Sequence, residues 1–434
     1  MLRRWAAQIS AVAASLIDDL KYASWLRQRR AFVYATILLA LEVAGFLFVV
    51  AVQRDVFIKL GRATTTDFVS FYAAGKLANA GTPELAYDQA AHYEAEQQAT
   101  APGIIYDYFY YPPTYLLICA GLAVLPYLVA FVVFEVASLV AYVLVIRTIL
   151  QERGWDTVVA ILAFPAVPWT LGTGQNGFLS ASLFGGATLL LDRSPVWAGI
   201  LFGALAYKPH FGLLIPVALA AGSQWRAFAS AAATVACIVI LSLAVYGADT
   251  WRDFVVALAG SHIAYESTHV DSGAMTNAFG AVRVLWGSPA LAWGAQGVAI
   301  VGAAGVVGFV WRRRLSLPLR AASLAGAALL AAPVALFYDF VVTFVAVAWL
   351  VRAGRSEGFL PWEKSALLAV FIVPLASRYI AHEHVPAAPL ALVVLLLVIV
   401  NRARHELRIR SAQRDKIEPA DATARSPIGV VDGA

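Results

Sequence analysis

Five polar groups interrupt an otherwise apolar chain, and their residue types narrow the chemistry it could perform. The first is Thr66-Asp67-Phe68, followed by Tyr72, Ala73, Ala74 and Gly75. A carboxylate at a helix start caps the helix and complements its dipole. Held just above a membrane, the same carboxylate can instead take a proton from a sugar or lipid hydroxyl. The local pattern leaves both readings open. The second group is Tyr106-Asp107-Tyr108-Phe109-Tyr110-Tyr111-Pro112-Pro113. Interfacial tyrosines anchor a span, but paired prolines also fix an extended approach and leave carbonyls of the preceding turn free. Such a rigid corner suits a wall on which a carbohydrate stacks.

Gly172-Thr173-Gly174-Gln175-Asn176-Gly177 and Tyr207-Lys208-Pro209-His210 form the third and fourth groups. Amides and glycines inside apolar sequence must line a cavity or pack within protein, because lipid cannot satisfy their backbone. An ammonium within a membrane domain is costly and marks a functional site unless it snorkels to the interface. The fifth group combines His262, Tyr265, Glu266, His269, Asp271, Asn277 and Arg283 with the later Tyr338-Asp339-Phe340. Asp339 can cap a helix, pair with an arginine, or serve the site. The two histidines match no standard ligand spacing, so no metal or other cofactor is expected. The chain also carries no Walker loop, dinucleotide fingerprint, His-Glu-x-x-His or Gly-x-Ser-x-Gly.

The elements that must position these groups follow from composition. Of 434 residues, 61% are apolar and 14% charged, and the mean hydropathy is +0.73. Soluble domains carry about 25% charged residues, so the chain reads as an all-α polytopic membrane protein. The net charge of +5 does not point to nucleic acid, because the basic residues flank apolar runs. They gather before residue 31, at Arg312 to Arg314 and Arg320, at Arg352 and Arg355, and from Arg402 to Lys416. That is the cytoplasmic-side pattern of a membrane protein, and it places both termini inside. Cys119 and Cys237 lie in apolar segments and build no disulfide framework.

Residues 1–30 read as a cytoplasmic amphipathic segment, with a signal peptide as the alternative. A membrane domain follows over 31–401, and a charged tail over 402–434 is expected to be disordered after about 415. The 20-residue criterion gives about twelve spans, near 31–52, 110–126, 127–150, 157–172, 175–191, 195–221, 227–247, 289–311, 320–336, 338–351, 364–380 and 386–400. Glu42, in the first, must face other helices. The acidic loop 53–109 and the loop 248–288 fall outside, and the first is expected to form two surface helices near 68–80 and 84–98. This topology leaves Arg147, Arg153 and Arg193 on the outer side. They move inside if Tyr111-Pro112-Pro113 opens a re-entrant segment instead of a span.

Taken in order, these motifs resemble glycosyltransferase family 87, the polyprenyl-phosphate-sugar-dependent transferases of the type-C membrane fold that include bacterial α-mannosyltransferases. The matching residues are Asp67-Phe68 with the stretch to Gly81, Leu85-Ala86-Tyr87-Asp88, Tyr111-Pro112-Pro113 to Leu125-Pro126, Gly174-Gln175-Asn176, and Ala198-Gly199 through Lys208-Pro209. The similarity runs from about residue 40 to about 350. It implies inverting transfer of a mannose-like sugar, on the exoplasmic face of the inner membrane, from a polyprenyl-phosphate donor to a hydroxyl of a glycan or glycolipid acceptor. Asp67 corresponds to the family's catalytic acid. Many members carry paired histidines where this chain has Phe337-Tyr338-Asp339-Phe340.

Such a reaction needs a base for the acceptor proton and positive charge for the departing phosphate. Asp67 is the expected base, and Lys208 with Arg283 or His269 the expected charge. Tyr111, Gln175 and Asn176 would orient the sugar, and Tyr72, Tyr338 and Asp339 complete the expected donor and acceptor site. A transporter or flippase is the competing reading, though the chain has no internal repeat.

Overall fold

The computed structural model describes Trp5 and residues 14–52, 67–266 and 270–424; Thr66 and His269 lie outside the described residues. The described chain is helical, with no strand beyond an isolated bridge between Met275 and Leu336. The helices are α1 (Gln28–Val52), α2 (Phe68–Asn79), α3 (Gln89–Ala99), α4 (Pro113–Leu122), α5 (Tyr127–Leu150), α6 (Trp155–Leu162), α7 (Ala166–Thr173), α8 (Gly177–Leu190) and α9 (Pro195–Ala204). They continue with α10 (Ile215–Ala221), α11 (Trp225–Gly260), α12 (Ala278–Val284), α13 (Pro289–Arg312), α14 (Leu317–Ala331), α15 (Val341–Glu357), α16 (Glu363–Ile372) and α17 (Ala387–Ala424).

Among the described residues six helices are long and apolar enough to cross a membrane, or seven if α6 and α7, bent by 65° at Ala163 to Pro165, count as one. About twelve full-length spans are expected from the hydropathy; the difference lies in helices broken by glycine, proline and polar residues. The expected span 195–221 is two short helices parted at Tyr207-Lys208-Pro209, and 110–126 shrinks to the ten residues of α4. At 1.5 Å per residue α4 is about 15 Å long, half a bilayer.

The helix ends fall into two groups. Gln28 at the start of α1 donates to Asp156 at the start of α6 (3.3 Å). At the same end Arg352 donates to Ile149 O (3.4 Å), Arg355 pairs with Glu152 (3.1 Å), and Arg320 pairs with Asp192 (2.6 Å). Arg147, which donates to Arg153 O, and Arg193, next to Asp192, therefore join the other arginines. The reason is α4: it leaves and returns to the opposite end, where Tyr72 donates to Leu125 O (3.0 Å) and Phe68 meets the Tyr127 ring at 5.6 Å. That grouping of the arginines is the one the re-entrant alternative expects.

The remaining elements keep the expected order with local changes. Thr82-Pro83-Glu84 opens a 3-10 turn, and the second surface helix starts at Asp88, whose side chain caps Ala91 N at 2.9 Å. α11 continues past the expected boundary at 247 and only kinks there, at Gly247 with φ +79°. α17 runs unbroken through residue 402 to Ala424, where the tail pattern predicts loss of structure. Residues 14–22 are helical, and Lys21 O accepts from Trp362 N at 2.6 Å.

Close packing of small residues holds the centre together, as expected where lipid removes the hydrophobic drive between helices. α14 is buried along Ala321 to Ala331 and lies against α15, which Trp349 fastens to Thr188 of α8 (3.0 Å). Gly75 lets α2 touch α4: a Cβ there would sit 2.1 Å from Cys119 O. Glu42 and Glu135 hold carboxyl oxygens out of solvent without a hydrogen-bond partner.

Candidate active site

Asp67 precedes the first residue of α2 but does not cap it. Its backbone is already helical (φ −55°, ψ −15°) and its side chain makes no capping hydrogen bond. The carboxylate instead accepts from Gln175 Nε2 at 2.7 Å, across 108 residues of chain. Local sequence supplies the neighbouring Phe68, fully buried against Phe71, Tyr127, Phe131 and Phe134, which pins the turn carrying Asp67.

Gln175 is held by a helix stop. Gly174 takes the left-handed conformation (φ +69°) that glycine adopts without penalty, ending α7, and Asn176 precedes α8. The break therefore presents two consecutive buried amides. Gln175 Oε1 accepts from the Tyr111 hydroxyl at 3.3 Å, and Tyr111 O accepts from Tyr87 at 3.0 Å. Asn176 Oδ1 accepts from Lys208 Nζ at 3.0 Å, and the same ammonium lies 2.6 Å from Asp339. Lys208 is 3% exposed and Asp339 2%. The lysine also sits over the Phe211 ring (4.7 Å) and the Tyr338 ring (5.5 Å). Tyr338 O accepts from Thr170 of α7 at 2.8 Å, closing the cluster.

Asp67, Tyr111, Gln175, Asn176, Lys208, Tyr338 and Asp339 thus meet through one pair of amides. The remaining expected residues do other things. Tyr72 spends its hydroxyl on Leu125 O and stacks edge-on with Tyr127, fixing α2 to the α4–α5 turn. Arg283 donates to Gly287 O (2.9 Å) and Glu266 O (3.1 Å), so it braces its own loop. Asn277 caps α12 and ties it to Ala332 O and Pro333 O. Asp339 does take a cap role, accepting from Leu336 N (3.3 Å), and its ion-pair partner is a lysine rather than an arginine.

Three groups take a part in the structure that the motif reading does not give them. Arg378, between α16 and α17, pairs with Asp271 (3.4 Å), lies over the Phe337 ring (5.1 Å), and its charge reaches Asp67. Its signal in the sequence is an arginine near the end of an expected span. Asp107 lies close enough to Asp67 for the two charges to interact. The third is a fully buried pair beneath them, His92 and Glu96. His92 Nε2 contacts Ser70 O at 3.0 Å, Glu96 Oε2 accepts from Asp107 N at 3.3 Å, and His92 Nδ1 faces Glu96 Oε1 at 3.6 Å.

Electrostatics at this end are set by desolvation. Burial raises the Asp67 carboxyl above its ordinary range, against the pull of the Gln175 amide, its own backbone, Lys208 and Arg378. Burial, then the Asp67 charge, pushes Asp107 up to about 7. Glu96 is pushed to about 8 by burial, while burial lowers His92 to about 4. Near neutral pH both members of that pair are therefore uncharged. Two close carboxyls in one desolvated site can hold and exchange a proton. Among the described residues, no group of three or more His, Cys, Asp or Glu is placed to hold a metal ion.

The family model described as "Glycosyltransferase family 87" matches residues 109–335, more than half of the chain. The match includes Tyr111, Gln175, Asn176 and Lys208, with Asp67 before it and Tyr338, Asp339 and Arg378 after it. No curated protein and no solved structure matches the chain.

Proposed function

Since the chain belongs to glycosyltransferase family 87, we propose that it transfers a mannose-like sugar from a polyprenyl-phosphate donor to an acceptor hydroxyl, with inversion, using Asp67 as general base. The observation that carries this reading is the Asp67 carboxylate itself. It is released from helix capping, desolvated, and aimed by Gln175 from a distant helix break.

In the reaction the acceptor O–H gives its proton to Asp67 as the oxygen attacks the anomeric carbon. The anomeric C–O bond to the phosphate breaks on the opposite face, and the polyprenyl phosphate leaves with the electron pair. Gln175 fixes the orientation of the carboxylate and Tyr111 fixes Gln175. Lys208 is balanced by Asp339, so its main effect is to hold Asn176 toward the sugar. Arg378, whose Asp271 partner is partly exposed at 3.4 Å, is the cation better able to turn toward a phosphate.

The side follows from charge. Arginines crowd the end of the bundle opposite Asp67, and positive charge stays in the cytoplasm. That supports an exoplasmic site on the inner membrane of a multi-pass protein in the type-C fold. Gathering of the polar residues at one end, in a sequence with no internal repeat, favours a transferase over a transporter. The test is direct: membranes containing the protein receive labelled polyprenyl-phosphate sugars, and the product is identified. Labelled glycan from wild type and none from Asp67→Asn supports the reading. Transfer by purified, folded Asp67→Asn removes Asp67 as base.

A further inference from the structure

The end of the molecule opposite Asp67 holds a cavity of about 360 Å3. Leu360, Pro361 and Trp362, in the turn between α15 and α16, line one side; Asn401, Arg404, His405 and Arg408 of α17 line the other. The surrounding cations are already matched. Arg402 is buried against Glu363 (2.6 Å) and Glu357 (3.2 Å), and Arg410 pairs with Glu406. Those pairs engage the acidic residues nearest in sequence on both walls. The side chains of Arg404, His405 and Arg408 have no carboxylate, hydrogen-bond or ring partner among the described residues. Among the described residues the cavity therefore carries positive charge that no acid balances.

α17 adds a second observation. Leu390, Val394 and Leu397 are 53%, 37% and 62% exposed, and with Asn401, Arg404 and Arg408 they recur every three or four residues. Such spacing puts them on one helix face. That face is apolar up to Leu397 and basic from Arg404, about 10 Å further along the axis. Trp362, half exposed beside the change, sits where indoles favour the membrane interface. A free phosphate would use only the basic part of this face. A phospholipid uses all of it: acyl chains along Leu390 to Leu397, and a phosphodiester between two guanidinium groups that bind such oxygens in a fork.

We propose that this cavity binds the headgroup of an anionic membrane phospholipid, at the face opposite the transfer site. The test uses the purified full-length protein in detergent, with bound lipid counted by native mass spectrometry after addition of phosphatidylglycerol or phosphatidylcholine. Each basic side chain at a membrane surface contributes about a fivefold preference. Wild type should hold phosphatidylglycerol in preference, and Arg404→Gln with Arg408→Gln should weaken that retention about 25-fold. Arg312→Gln with Arg313→Gln, an equal charge change elsewhere at this end, should leave it intact. Leu397→Gln should weaken retention without altering charge. Both arginines are exposed and unpaired, so an unchanged thermal midpoint in phosphatidylcholine checks folding. Equal retention of the two lipids, equal loss in the control pair, or displacement by millimolar inorganic phosphate overturns the assignment. Sugar transfer does not enter the measurement, so its outcome is independent of the proposed reaction.

Discussion

The two ends of the bundle use the same charged residue types in opposite ways. At the basic end the arginines are engaged, some by acids and some by carbonyls: Arg402 with Glu363, Arg320 with Asp192 and Arg355 with Glu152, Arg147 and Arg352 with backbone oxygens. At the other end Asp67, Asp107 and Glu96 are taken from water without a matching cation in contact, and all three titrate above their ordinary range. Paired charges hold helices in place and leave little to react. Desolvated, under-compensated carboxyls are destabilising, and they persist where proton transfer uses them.

The largest expected effect breaks the reactive side of that contrast. Asp67→Asn keeps the Gln175 contact in shape but removes the base, and the rate of transfer should fall by about 10²–10⁴, with thermal stability unchanged or raised. Undiminished transfer would sink the assignment. The base must be ionised, so the rate should rise with pH along a limb lying above the ordinary carboxylate range, near 4. Because Asp107 titrates at about 7 beside it, the limb reports the pair. Asp107→Asn should remove the component near 7 and leave a single step.

Next in size is the buried Lys208–Asp339 ion pair inside the reactive end. Lys208→Ala leaves Asp339 charged with no ammonium at 2.6 Å, a loss of about 3–5 kcal/mol in unfolding free energy. Lys208→Met with Asp339→Asn should recover much of it, since removing both charges also removes their desolvation cost. If the double variant recovers stability but not donor use, the lysine also serves the site. If both return, it is structural.

The contrast itself was half visible in the sequence. Asp67, Tyr111, Gln175, Asn176, Lys208 and Asp339 each interrupt apolar sequence, and an interruption is costly enough in a membrane to be legible without coordinates. Their mutual contacts were not legible: Gln175 reaching Asp67 spans 108 residues, and Lys208 reaching Asp339 spans 131. Arg283 and Tyr72 look similar in pattern, yet Arg283 braces its own loop and Tyr72 ties α2 to the α4–α5 turn, because a side chain's partner depends on packing that local spacing does not encode. Arg378, Glu96 and His92 escaped notice for the converse reason, since each sits in an unremarkable helical context. Hydropathy averages across a break in a span: the window over 195–221 hides the turn at Lys208-Pro209.

Glu96 gives a smaller effect with a defined sign. Its folded-state value of about 8 lies above the value of about 4.3 in an unfolded chain. Its contribution is therefore complete below about pH 4 and is lost as pH rises through 8. Glu96→Gln can still accept from Asp107 N and donate toward His92 Nδ1, so it should match wild type at pH 4 and exceed it in stability at pH 8. Glu96→Ala leaves both partners unsatisfied in a dry site and should cost about 1–3 kcal/mol at either pH. Thermal melts at the two pH values decide it; a Gln variant weaker than wild type at pH 8 would mean the pair is charged after all.

The smallest expected effect tests the paired end. Arg355 and Glu152 are 3.1 Å apart, and their side chains are 39% and 35% exposed. Water screens such a pair, and ordering two long side chains offsets much of the remaining attraction, so the net coupling should be at most about 1 kcal/mol. A double-mutant cycle with Arg355→Gln and Glu152→Gln reads it directly, and 0.5 M salt should reduce it, because a Debye length of about 4 Å at that concentration reaches little beyond the pair. A coupling above about 2 kcal/mol that survives salt would mean this end is as dry as the Lys208 site. The contrast between the ends would then rest on how completely their charges are matched, with burial playing no part.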